Sequence, residues 1–280
     1  MSHPTESTES AESTVSAEPT EPTGSTAQAE VPADSAGVPW EGRSFQANPH
    51  SGDDGTASPE LAAALQAFLA GTGDQRGVVD ALRTARLLIP LLTERGDEGV
   101  GPNGLLVDKT QELSIVTVAA PDGRRVLPLF TEVATMARWD AGARPVPADG
   151  VRAALAAAAD DTDLIVLDPG SPTEFVVRRP AVWAIAQAEP WIPSWESADV
   201  RGALLESITT ELAVVNVEME QGDPSARLRG PELVVRLELL DGLDQSELDA
   251  VLARLARRWA ANDHIAVLVD SLTVKLVRSA

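Results

Sequence analysis

The 280-residue chain contains no cysteine, no tyrosine and only three histidines. The absence of cysteine excludes disulfide bonds, thiol catalysis and thiolate metal sites. The absence of tyrosine removes one more side chain that can act as a catalytic acid. Two of the histidines, His3 and His50, lie in a polar N-terminal segment, which leaves His264 in the remaining sequence. The chain therefore has few of the side chains on which most enzymes depend.

Basic side chains are also scarce, because 22 of them stand against 43 acidic ones and leave a net charge of −21. Nucleic acids and anionic membrane surfaces are bound largely through lysine and arginine, so we expect neither as a partner. No apolar run approaches the ~20 residues of a membrane span, and the first residues are too polar for a signal peptide. These observations predict a cytoplasmic protein.

Large apolar residues are missing from the first part of the chain. Residues 1–35 consist mostly of Ser, Thr, Glu, Pro and Ala, with Val15 and Val31 as the larger branched side chains. Such a segment buries too little apolar area to offset the conformational entropy of the chain. We therefore predict that residues 1–57 form a disordered acidic tail.

One short stretch of this tail is different, because residues 40–45 place two aromatic rings around an arginine. Aromatic and arginine side chains are the residue types that anchor protein interfaces. One interpretation is a linear motif that binds a partner through Trp40, Arg43 and Phe45. The other is an extension whose rings pack on the protein's own surface. We favour the second, because soluble monomers seldom leave large rings exposed.

Residues 58–190 combine helical periodicity with hairpin signals. Helix starts are indicated at Ser58-Pro59, Asp74, Thr131, Val151 and Pro180. Hairpins are indicated where residues 113–119 and 124–130, and again residues 164–167 and 175–177, flank turn sequences. The proline within Leu87–Leu92 suggests an edge strand. Helices grouped with hairpins predict an α+β fold with a mostly antiparallel sheet and flanking helices.

Residues 191–200 are interpreted as a linker and residues 201–280 as a small α+β domain of the ββαβ type. Its predicted strands cover residues 211–220, 233–240, 265–269 and 274–277, and its helix begins at a capping box, Asp244 to Glu247. In the first strand, alternation places Ala213, Val215, Val217 and Met219 on one face. An open edge of this sheet would allow homodimer formation.

Four stretches resemble a known family. They are residues 87–94, 107–117 and 126–131, together with 163–186, which contains an Asp-Pro-x-Ser-Pro-Thr-Glu turn and an Arg-Arg-Pro step. Over residues 75–190 the chain is similar to the N-terminal domain of the SseB family, named for enhanced serine sensitivity, and it most resembles actinobacterial members. The resemblance implies an α+β fold, a cytoplasmic setting and a loose link to amino-acid physiology. It brings no catalytic residues that transfer to this chain.

Few residues remain for chemistry. His264 has no second histidine, cysteine or tyrosine to act with, which disfavours both a metal site and a serine–histidine relay. Lys109 follows a glycine-rich stretch, but the spacing and the preceding Asp108 differ from those of a phosphate loop. We expect no cofactor and no metal. The candidate interaction residues in this region are Lys109, Thr110 and Glu112.

Three functions remain, in descending order. The first is a non-enzymatic protein–protein interaction or regulatory module with a protein partner, since catalytic residue types are missing and the tail carries an aromatic–arginine motif. The second is a sensor of a small molecule related to amino acids, based on the family link and on fold analogy for the C-terminal part. The third is a carboxylate-based enzyme around Asp108, Lys109 and Glu112. Strand alternation disfavours it, because Lys109 points away from the two acids.

Overall fold

The computed structural model describes residues 52–93, 98–100, 106–108, 113–115, 117–120, 122–159, 162 and 164–278. These residues belong to one compact unit, His50–Ala280. Most of the predicted tail, residues 1–57, therefore lies outside the described residues. Within them, no helix is both long enough and apolar enough to cross a lipid bilayer.

The helices and strands follow one another in an order that mixes the two types. The helices are α1 (Pro59–Leu69), α2 (Gln75–Thr84), α3 (Val133–Trp139), α4 (Gly150–Ala159), α5 (Arg179–Ala186), α6 (Ala198–Ile208), α7 (Gln245–Ala260) and α8 (Asp263–Leu268). The strands are β1 (Arg86–Thr93), β2 (Glu98–Val100), β3 (Leu106–Asp108), β4 (Leu113–Ile115), β5 (Val118–Ala119), β6 (Arg125–Leu129), β7 (Arg144–Asp149), β8 (Leu164–Leu167), β9 (Phe175–Val177), β10 (Val214–Gln221), β11 (Leu233–Leu239) and β12 (Leu272–Arg278). Most strand pairs are antiparallel, which confirms the predicted α+β class.

The strand β1 is central rather than at an edge, so that prediction was wrong. It pairs antiparallel with β4 on one side and with β7 on the other. Pro90 lies opposite Pro145 of β7, and the pairing with β4 begins one residue later, at Leu91. The Gly150 N–H donates to the Ala85 carbonyl, and hydrogen-bonded pairs recur every second residue, so Pro90 and Pro145 form a non-hydrogen-bonded pair. The missing N–H of Pro90 therefore points away from β7, at a position before the pairing with β4 begins, which lets a proline occupy this strand.

The two predicted hairpins have different outcomes. The strands β8 and β9 pair as predicted across the turn that starts at Asp168. In the other hairpin only Val118 and Ala119 pair with β6, while β4 pairs with β1 of another sheet. One apolar run thus supplies strands to two sheets. The sheet that contains β5 has the order β5-β6-β8-β9, in which β6 and β8 are parallel.

The C-terminal sheet has the order β10-β11-β12, with β11 and β12 parallel. Two predictions for it were wrong. A bulge between Val214 and Asn216 shifts the alternation of β10, so Val215 is exposed and Val214 takes its place in the core. The predicted strand 265–269 is instead the helix α8 with its following turn, because the Asn262 side chain caps the Ile265 N–H. The predicted capping box at the start of α7 is confirmed.

Two main hydrophobic clusters form the core. The larger contains residues of α1, α2, α4 and α5 and of the two sheets β4-β1-β7 and β5-β6-β8-β9. The second is formed by α6, α7, α8 and the C-terminal sheet. Trp195, between α5 and α6, packs against both clusters. The predicted division of the chain into domains at residues 191–200 stays a prediction.

Close packing between α4 and α2 leads to a prediction about Gly150. A Cβ atom at Gly150 would lie 2.1 Å from the Leu82 carbonyl oxygen, whereas one at Gly202 of α6 would meet no atom within 4 Å. We expect Gly150→Ala to lower the free energy of unfolding by about 1–3 kcal/mol through overpacking. Gly202→Ala should raise it by up to ~1 kcal/mol, because alanine is the better helix former. Urea denaturation of both variants measures the contrast, and equal effects would contradict it.

Candidate functional site

The residues predicted from sequence to take part in interactions are Trp40, Arg43, Phe45, Lys109, Thr110 and Glu112. All of them lie outside the described residues, so their roles stay predictions. Of the acids in the carboxylate hypothesis, Asp108 is described at the end of β3 by its backbone.

The one histidine of the described ranges, His264, lies exposed on α8 and makes no side-chain hydrogen bond or ion pair there. Across those ranges, no three side chains of histidine, aspartate or glutamate are grouped so as to hold a metal ion. His264 therefore has none of the partners that a histidine needs for acid–base or metal chemistry.

The turn after β8, which carries part of the family resemblance, is held by a buried carboxylate. Asp168 is almost fully buried and accepts hydrogen bonds from the Thr131 N–H and hydroxyl, both 2.8 Å, and from the Thr173 hydroxyl, 2.9 Å. Burial raises the pKa of Asp168, and the threonine hydrogen bonds oppose that rise. Thr131 was predicted to cap α3. It binds Asp168 instead, and Glu132 occupies the N-cap position.

Buried charges join the end of β9 to the C-terminal sheet. Arg178, which directly follows β9, is 7% exposed and donates to the carboxylates of Asp223 at 2.8 Å and Asp270 at 3.0 Å. Arg124 donates to the other oxygen of Asp270 at 2.7 Å. Glu232 lies beside them, since its carboxylate accepts from the Asp270 N–H. We refer to these five residues as the Arg178 cluster.

The Arg178 cluster also fixes nearby backbone. Arg178 donates to the Gly230 carbonyl at 2.7 Å, and Asp223 accepts from the Leu228 N–H at 2.8 Å. The Ser271 hydroxyl accepts from the Glu232 N–H at 3.1 Å. The loop between β10 and β11 and the segment leading into β12 are therefore held to the same guanidinium.

The pKa values of two acids of the Arg178 cluster, Asp270 and Glu232, are shifted in opposite directions. Burial opposes ionisation of Asp270, but the hydrogen bonds and charges of Arg124 and Arg178 outweigh it and lower the pKa of Asp270. For Glu232 burial dominates and raises its pKa, although the Asp270 N–H and the Ser194 hydroxyl favour the carboxylate. The Oε1 atom of Glu232 has no hydrogen-bond partner of good geometry. Glu232 is thus a buried acid whose charge is only partly compensated.

Two cavities lie along α7 and β12. The first has a volume of ≈ 490 Å³ and is mainly apolar, and the second has ≈ 470 Å³. The first is lined by Leu252, Ala256, Trp259, Ile265, Leu272 and Val274, among others. The second is about half polar and is lined by Leu240, Asp241, Leu243, Leu248, Leu276 and Arg278, among others. We refer to the two cavities together as the β12 groove.

The apolar side of β12 faces this groove. Leu272, Val274 and Leu276 pair with three residues of β11 that are fully buried in the second core cluster: Leu233, Val235 and Leu237. Side chains opposite one another in neighbouring strands lie on the same face, so the three β12 residues share the core side of the sheet. Leu276 is nevertheless 42% exposed, because the helices do not cover the edge of the sheet there.

An arginine stands at one end of the β12 groove. Arg179 lines the first cavity, and its Nη2 donates to the carbonyls of Ala266 at 2.9 Å and Val269 at 2.8 Å. Its guanidinium also lies 5.3 Å from the ring centroid of Trp183. No described carboxylate pairs with Arg179. The groove therefore ends at a cation that is fixed in place but not neutralised.

Fold and surface together define an α+β protein with a buried ionic cluster and an apolar groove beside an edge strand. Residues 61–184 match the family model of the SseB protein N-terminal domain, which confirms the resemblance seen in the sequence. The match ends within α5, so β12 lies beyond it, whereas Arg179, which lines the first cavity, lies within it. No curated protein and no solved structure matches the chain.

Sequence reasoning missed both the Arg178 cluster and the groove. Asp223 and Asp270 are not among the residues singled out from the sequence. A usable signal was present, because Asp223, Glu232 and Asp270 each lie within two residues of a strand of the C-terminal part. Acids in such positions are seldom buried unless they are paired. The groove depends on α8, which had been predicted as a strand.

The buried ion pairs predict a strong effect at Arg178. Arg178→Met leaves Asp223 without its cation in a dry environment, so we expect a loss of about 3–5 kcal/mol of unfolding free energy. Arg76→Met breaks an ion pair with Glu196 in which both side chains are more than 40% exposed, and should cost under ~1 kcal/mol. Urea denaturation of the two variants tests the difference, and similar costs would refute it.

The raised pKa of Glu232 predicts a pH effect of defined sign. Stability linked to Glu232 is present below its unfolded pKa of ~4.3 and is lost as pH rises through the higher folded pKa. Glu232→Gln should therefore gain stability relative to the native chain as pH rises from 4.5 to 8. Glu211 is the control: its hydrogen bond with Arg254 lowers its pKa, so the stability linked to Glu211 is already present above pH ~4.3 and is lost only at lower pH. The difference in stability between Glu211→Gln and the native chain should therefore stay nearly constant from pH 4.5 to 8. A constant difference for Glu232→Gln over that range would contradict this assignment.

Proposed function

We propose that this chain is a non-enzymatic protein-interaction module that binds an extended segment of a partner protein along the edge of β12, in the β12 groove. The observation that carries the proposal is an edge strand whose apolar side chains line an open groove. Addition of a strand to such an edge is a common mode of peptide recognition, in which backbone hydrogen bonds supply affinity and pockets supply specificity.

The backbone of β12 supports this role. The Ser271 carbonyl accepts from the Leu233 N–H at 3.0 Å, so Ser271 faces β11, and so do the alternate residues Thr273 and Lys275. The amide and carbonyl groups of Val274 and Leu276 therefore point away from β11. Among the described residues no strand pairs with that side of β12.

The opposite edge of the same sheet is protected. There, β10 carries the bulge near Val214 and the acids Glu218 and Glu220, which are devices that discourage further strand pairing. The strand β12 has no bulge and no acid. Its charged residues are Lys275 and Arg278, and neither is paired with a described carboxylate. The two edges of one sheet thus differ in the property that strand addition requires.

Charge favours a partner over a second copy of the chain. A net charge of −21 makes two copies repel each other, while Lys275 and Arg278 attract an acidic segment to β12. The supporting features are therefore an edge without a paired strand among the described residues, a groove that is mainly apolar in its first cavity, and two cations on β12 of an acidic protein.

The experiment is a selection of random heptapeptides, displayed with free C-termini, against the full chain. Affinities of enriched peptides are then measured by fluorescence polarisation. We expect apolar residues at alternate positions. Val274→Pro removes an outward N–H while the ladder with β11 is kept, so it should weaken binding at least about tenfold. Val274→Ala keeps the N–H and should weaken it less.

Controls separate the groove from other surfaces. Trp40→Ala combined with Phe45→Ala should leave the affinity of the selected peptides unchanged. A loss in that variant, together with unchanged binding by Val274→Pro, would place the contact in the tail and overturn the proposal. Failure to enrich any peptide would overturn it as well.

A second candidate, a sensor of a small molecule related to amino acids, is favoured by the first cavity alone. Its ≈ 490 Å³ volume and mainly apolar lining fall within the range of ligand pockets. A ligand at a hundred times its Kd would stabilise the fold by about 2.7 kcal/mol. A thermal-shift panel of apolar amino acids at millimolar concentration tests this, and unchanged melting temperatures would dismiss it.

A further inference from the structure

We infer that the partner segment is a protein C-terminus, which places its terminal carboxylate on Arg179 and its last side chain in the first cavity of the β12 groove. This inference rests on the proposed function. It adds the part of the partner that is recognised, its direction and its sequence pattern.

Arg179 is suited to a carboxylate. Two backbone carbonyls at the end of α8 and the Trp183 ring hold its guanidinium, so little conformational entropy is lost when an anion binds. These contacts use Nη2, whereas Nε and Nη1 have no described acceptor. Asp270 also lines the cavity, but Arg124 and Arg178 already neutralise it. Arg179 is therefore left as the cation available at this end of the groove.

The position of Arg179 fixes the direction of the bound segment. Arg179 lies with Ser271 and Leu272 at the start of β12, and Arg278 lies at the other end in the second cavity. A segment that ends at Arg179 must run antiparallel to β12. That direction gives the stronger of the two strand-pairing patterns.

The spacing of the cavities fixes the sequence pattern. Side chains on one face of a strand recur every second residue, about 6.6 Å apart. The last residue of the partner would enter the first cavity beside Val274, and the residue two positions earlier would lie beside Leu276 at the second cavity. Lys275 projects from the opposite face of the sheet, where it favours an acid at the intervening position. The expected terminus is apolar, acidic, apolar, followed by the free carboxylate.

The test compares one selected peptide as free acid and as C-terminal amide. We expect the acid to bind the native chain at least about tenfold more tightly, since a charged hydrogen-bonded pair is lost in the amide. In Arg179→Gln the ratio should fall to about one. Arg257→Gln, an exposed arginine on α7 without a described side-chain partner, should keep the full ratio.

The outcomes are distinguishable. Equal binding of acid and amide, with Val274→Pro still impairing both, would overturn this inference and leave the proposed function standing. Absence of binding by either peptide would overturn both. The comparison on the native chain does not depend on the folding of any variant. Complete displacement of the peptide by millimolar N-acetyl-leucine, with Val274→Pro without effect, would assign the cavity to small carboxylic acids and overturn the inference.

Discussion

The arrangement of this protein depends on one buried guanidinium. Arg178 connects a strand of the part that matches the SseB N-terminal domain to two acids of the C-terminal part, and all three side chains are withdrawn from water. Ion pairs in such places gain little net stability, because desolvation offsets much of the attraction. Their geometric demand is strict, however, since each charge must meet its partner. The Arg178 cluster thus favours one docking of the two hydrophobic clusters over others that would bury similar apolar area.

The same cluster also shapes the surface. Arg179 is the next residue along the chain, and Asp270 and Ser271 lead directly into β12. Fixing Arg178 against Asp270 therefore brings Arg179 to the end of α8 and sets the start of β12 beside it. The position of the cation at the end of the groove follows from this contact.

Sequence reasoning predicted the features that local rules control. The capping box of α7, the Asp74 cap of α2 and the turn between β8 and β9 depend on neighbouring residues, and each is found. The wrong or missing predictions concern features that depend on residues far apart in the sequence. The strand β1 is central although it contains Pro90, because the missing N–H of this proline points away from β7. A bulge changes which of the first side chains of β10 face the core. The Arg178 cluster depends on residues 45 and 92 positions apart, a separation that spacing rules do not reach.

That separation also has a consequence for synthesis of the chain. Asp270 leaves the ribosome 92 residues after Arg178, a delay of roughly 5–20 s at ordinary translation rates. Until Asp223 is made, 45 residues after Arg178, the surface around Arg178 has no ionic partner from the C-terminal part. A charged group keeps that surface hydrated, where an apolar one would invite association with neighbouring nascent chains. We therefore expect the Arg178 guanidinium to reduce association of the incomplete chain before it forms its buried ion pairs in the folded protein.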